Sequence, residues 1–94
     1  MGAVSAQVRF PDCASLKDKR MYLRRMRDHL MRRHGVTFAE VGCQDTWQRS
    51  QVVFALAASD QRVLGWSVDA ALVYLESQEW EVVSVEREVF EIDA

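Results

Sequence analysis

The chain has 94 residues, 49% of them hydrophobic and 28% charged, with 12 Lys and Arg against 14 Asp and Glu. Those proportions fit one globular domain around a single small core, and they exclude a disordered or multidomain chain. At a net charge of −2 the molecule as a whole is no polycation, so affinity for nucleic acid has to come from uneven placement of charge.

Val4, Ala6, Val8 and Phe10 alternate with Ser5, Gln7 and Arg9, which predicts a first strand buried on one side. Pro11 has no amide hydrogen to give a ladder and ends that strand, leaving Asp12 just beyond it. Ser15 and Asp18 form an S-x-x-D capping pattern, and Gly35 closes the helix that follows. On a helical projection Leu16, Leu23, Met26 and Leu30 share one face, and Lys17, Arg20, Arg24 and Arg27 form the adjoining stripe. Arg25 and Arg32 carry the charge round the back. Eight of the 12 Lys and Arg fall between Ser15 and His34 against two acids, a local charge of +6. From Glu76 to Asp93 the balance reverses, with seven acids against Arg87 alone.

Val36–Val41 reads as a second strand, and 42–49 as a polar connection carrying Trp47. Val52–Ala58 reads as a third strand without polar alternation, which predicts cover on both faces. Ser59 or Asp60 caps a second helix whose buried face is Leu64, Val68, Ala71, Leu72 and Leu75. A last strand runs from Trp80 to about Ile92, with Val83, Val85 and Val89 inward of Ser84, Glu86 and Glu88. Phe90 and Ile92 change phase there, which predicts a bulge or a separately packed tail.

The order β-α-β-β-α-β predicts a single α+β domain over residues 1–94, ferredoxin-like, with two helices on one face of a four-stranded antiparallel sheet. Apolar residues of the third strand, with Phe90 or Ile92, are expected on the other face, and a homodimer through it is the expected cover.

Ser15-Leu16-Lys17-Asp18-Lys19-Arg20 resembles the SLKDKR signature of the YlxP-like family of small bacterial proteins. Ala39-Glu40-Val41 with Gln44-Asp45 and Trp47-Gln48-Arg49 resembles its second signature, and the likeness runs from the first strand to the last. The resemblance implies a ferredoxin-like fold and no established activity. Genes of this family often stand beside those of translation initiation factor 2 and ribosome-binding factor A, which implies a role around the ribosome. Ala3, Ser5 and Ala6 are smaller than the family's usual residues, and Cys43 stands where a polar residue is expected.

Lys17, Lys19, Arg20, Arg24, Arg25, Arg27 and Arg32 are the candidate phosphate contacts, because guanidinium groups pair phosphate oxygens two at a time. The expected partner is RNA or a ribosomal particle, contacted without catalysis. Asp45, Trp47 and Arg49 are candidate partner contacts, with Trp47 more readily read as packed over the core and Glu40 placed to orient Arg49 by an ion pair. An alternative reading is a metal-dependent nuclease-like dimer using Asp12, and another is a purely structural adaptor. Cys13 and Cys43 show no metal-finger spacing, and His29 and His34 no paired-ligand spacing, so no metal or cofactor is expected. The chain carries no signal-like or membrane-spanning apolar run and reads as cytoplasmic.

Overall fold

Alternation in the first strand decides which side of the sheet holds the core. The protein is described here by a computed structural model covering residues 1–91, with elements β1 (Gly2–Arg9), α1 (Leu16–His34), β2 (Thr37–Gly42), β3 (Arg49–Leu56), α2 (Gln61–Glu76) and β4 (Glu81–Val89). The strands pair antiparallel in the order β2-β3-β1-β4, the expected ferredoxin-like arrangement. Val4 and Ala6 of β1 stand opposite Phe54 and Val52 of β3. These side chains meet Met26 and Leu30 of α1 and Leu64, Val68, Ala71 and Leu75 of α2 in one buried cluster. Each fully buried Val, Leu, Phe or Met side chain in it contributes roughly 1.5–3 kcal/mol.

The helix ends are built as the sequence predicts. The Ser15 hydroxyl accepts from the Asp18 amide at 3.2 Å, and the Asp18 carboxylate accepts from the Ala14 amide at 3.2 Å. Asp60, not Ser59, caps α2, its carboxylate accepting from the Arg62 and Val63 amides at 2.7 and 3.4 Å. Gly35 ends α1 at φ 64°, in the left-handed region, and a Cβ there would touch nothing within 4 Å. Gly35→Ala should therefore cost about 1 kcal/mol from the backbone alone, read as a lower urea midpoint with an unchanged slope.

Three details depart from the sequence reading. The third strand starts at Arg49 rather than Val52 and does alternate: Ser50, Val52, Phe54 and Leu56 are buried on the helix side, while Gln51, Val53 and Ala55 face away. In β4 the bulge falls near Val83, because Gln7 pairs with Ser84 and Val8 with Val82. Val82 and Val85 thus join the core, and Val83 turns out to solvent. The open sheet face is accordingly less apolar than expected. Phe54 lies on the core side, and Phe90 lies in a cleft with Met1, Ala58, Gln61 and Leu64 at the end of the sheet. Ile92 is outside the described residues.

Among the described residues no helix is long and apolar enough to cross a membrane.

Candidate nucleic-acid interface

At 1.5 Å per residue the 19 residues of α1 span about 28 Å. Arg20, Arg24 and Arg27 stand at i, i+4 and i+7, so their side chains rise in a row along one flank. That flank faces the edge strand β2. Between them lies a cleft of about 330 Å³, lined by the three arginines with Leu23, Phe38, Ala39 and Glu40. Lys17 is exposed one turn before Arg20. Among the described residues Lys17, Arg20, Arg24 and Arg32 have no ion-pair partner, and Arg27 meets only its neighbour Asp28, at 3.3 Å.

Among the described residues the acidic C-terminal segment does not cover this row. Strand order places β4 at the opposite edge of the sheet from β2, about 14 Å away at the usual strand spacing. Glu81 pairs with Arg9 at 3.8 Å, and Glu86 and Glu88 line a cleft on the open sheet face. Glu79 reaches α1, where it pairs with Arg25, whose guanidinium also lies 5.7 Å from the Tyr22 ring centroid. Arg25 is thus committed to protein contacts on the flank away from the cleft.

Lys19 corrects the sequence reading. It is 2% exposed, with Nζ 2.9 Å from a Glu40 carboxylate oxygen and donating to the Cys43 carbonyl at 2.5 Å. The Ser50 hydroxyl donates to the same carboxylate oxygen at 2.5 Å. Lys19 therefore ties α1 to β2 and the loop after it, and it offers nothing to a phosphate. Nor does Glu40 orient Arg49. Side chains alternate along a strand, and the register puts Glu40 beside Val52 on the core side while Arg49 lies on the open face beside Arg9.

The loop between β2 and β3 is anchored by its backbone and by Gln48, not by its indole. Gln48 accepts from the Phe10 amide at 2.8 Å through its carbonyl, and its side chain donates to the Cys13 carbonyl at 3.4 Å. Trp47 remains 51% exposed, contrary to the expectation that it packs on the core, and Asp45 is exposed beside it. Cys43 takes a left-handed φ of 59°, unusual for a residue with a Cβ, and this turns its carbonyl to Lys19. Asp12 is exposed on the turn before α1. Among the described residues no three His, Cys, Asp or Glu side chains converge as metal ligands would.

Between the helices an aromatic column adds a second feature. His29 stacks on Tyr74 at 3.5 Å between centroids, with His34 5.3 Å from His29. Burial, and then the nearby His29 imidazole, lowers the His34 pKa from its ordinary value. Burial raises the Tyr74 and Tyr22 pKa values, and Glu79 and Asp12 raise Tyr22 further.

The comparisons with known proteins agree with this geometry at the level of family. A family described as a protein of unknown function, DUF503, matches residues 1–87. The chain belongs to the DUF503 family. It is 32% identical over 66 residues to the uncharacterized protein YlxP of Bacillus subtilis (strain 168), covering 70% of this chain and 72% of that protein. In this DUF503 chain the two signature motifs meet physically: Lys19 of the first binds Glu40 of the second.

Proposed function

We propose that this DUF503 protein is a non-catalytic accessory protein of RNA or the ribosome, laying its first helix against phosphates. The observation that carries the reading is the row of Arg20, Arg24 and Arg27 along an open cleft, with the acidic strand at the far edge of the sheet. Three guanidinium groups one helical turn apart suit a run of backbone phosphates better than a single anion. Readout by shape and charge, rather than by base stacking on the sheet, follows from the open face. Its β1 and β3 residues there are Ala3, Ser5, Gln7, Arg9, Arg49, Gln51, Val53 and Ala55, with no aromatic side chain among them. The gene neighbourhood implied by the family resemblance favours ribosomal RNA.

The test is co-sedimentation with ribosomal particles. The protein should travel with them at low salt and leave them at high salt, and Arg24→Glu with Arg27→Glu should abolish the association without lowering the unfolding midpoint. Association that is indifferent to salt and to both reversals overturns the reading. The exposed Trp47 favours a second reading, a protein adaptor that uses Asp45, Trp47 and Arg49. That reading requires an association that survives high salt and is lost in Trp47→Ala.

A further inference from the structure

The second helix has an outer surface that the core does not explain. Of its 16 residues only Arg62, Asp69 and Glu76 are charged, and they stand seven apart in one row. Beside them run Val63 and Ala70, seven apart, and Trp66 and Val73, also seven apart. These are the a and d positions of a heptad seam, with the charged row in a flanking position. The core uses a different face, Leu64, Val68, Ala71 and Leu75. On the outer seam Val63 is 45%, Trp66 63% and Val73 68% exposed, and Ala70 is exposed between them. A helix laid on a sheet normally turns a polar face outward.

We propose that α2 pairs antiparallel with α2 of a second copy of the chain, across a two-fold axis between Trp66 and Ala70. The charged row decides the occupant and its direction. In antiparallel pairing a flanking row meets its own equivalent in reverse order, so Arg62 faces Glu76 of the second copy, and by symmetry the contact is made twice. Val63 then lies over Val73 of the second copy and Trp66 over its Ala70, the smallest seam residue, which leaves room for the indole. Asp69 would meet its counterpart at the axis, but each is already held by its own Arg87 at 2.5 Å. Parallel pairing would instead set Arg62 against Ser67 and Asp69 against Tyr74 of the second copy, so the charged row would find no opposite charge. Beside the seam a cleft of about 380 Å³, bounded by Arg33, His34, Val63, Trp66, Ser67 and Ala70, gives room for side chains of the second helix. This interface lies on the opposite flank of α1 from the Arg20–Arg27 cleft, so it stands independently of the RNA reading.

The experiment is the solution mass of the intact protein with three α2 variants. The wild type should weigh twice its 10.8 kDa chain. Arg62→Glu alone and Glu76→Arg alone should each weaken dimerisation about tenfold, and the two together should restore it. A monomer at every accessible concentration overturns the proposal. So does a double reversal no tighter than the single ones. A dimer that ignores the α2 changes and falls apart in Val53→Glu overturns it too, because the contact would then be the open sheet face.

Discussion

Lys19→Ala should destabilise the domain by about 3 kcal/mol, the lower end of the cost of breaking a buried ion pair. The ammonium satisfies both the Glu40 carboxylate and the Cys43 carbonyl, and its own side chain is 2% exposed. Without it the carboxylate keeps, among the described residues, only the Ser50 hydroxyl as donor, and the loop carbonyl loses its Lys19 partner. Glu40 is 21% exposed, so water offsets part of the loss and holds the value below the upper range. A domain of this size is stable by roughly 5–10 kcal/mol, so the change removes a large fraction of the total. Lys19→Met with Glu40→Leu should recover more than half of it, because a pair of apolar side chains replaces the charges together. Urea unfolding of the two variants measures both effects, and a Lys19→Ala protein as stable as the wild type would contradict the buried pair.

The same residue shows where the sequence was legible and where it was not. Lys19, Leu23, Met26 and Leu30 follow the four-three-four spacing of one helical face, so geometry alone assigns Lys19 to the core. Residue type assigns it to solvent, and what decides is Glu40, a carboxylate that only the fold brings within reach. Trp47 fails in the opposite sense: its size predicts burial, yet backbone and Gln48 contacts fix the loop and leave the indole out. Strand alternation in β1, the caps at Ser15 and Asp60, and the inner face of α2 depend on neighbours close in sequence, and these were readable. The bulge near Val83 was not, because it is set by how β4 aligns with β1 across the whole chain. The stripe of Lys17, Arg20, Arg24 and Arg27 was visible in the helical period. That its free flank borders β2 while β4 takes the acids to the far edge required the strand order. On α2 the charged row is equally plain in the spacing, but that its neighbours Val63, Trp66 and Val73 stay exposed depends on how the helix sits on the sheet.

Neutralising Arg20, Arg24 and Arg27 one at a time should flatten the salt dependence of RNA binding in equal steps. Each phosphate contact that is lost lowers the slope of log affinity against log salt by about 0.7 for a single strand and about 0.9 for a duplex. The triple alanine variant should therefore lose a slope of about 2 to 3, with the fold intact because all three side chains are exposed. Arg25→Ala should change the slope less, since Glu79 already neutralises that guanidinium. Lys19 supplies the control that separates charge from position. Lys19→Met removes the same formal charge from the same helix, yet in the folded protein it should lower the slope less than Arg24→Ala does, because that ammonium is committed to Glu40 and touches no phosphate. Binding titrated by fluorescence anisotropy over a range of salt distinguishes these cases. Equal slopes for Lys19→Met and Arg24→Ala would mean that net charge, and not the row along the cleft, draws the RNA.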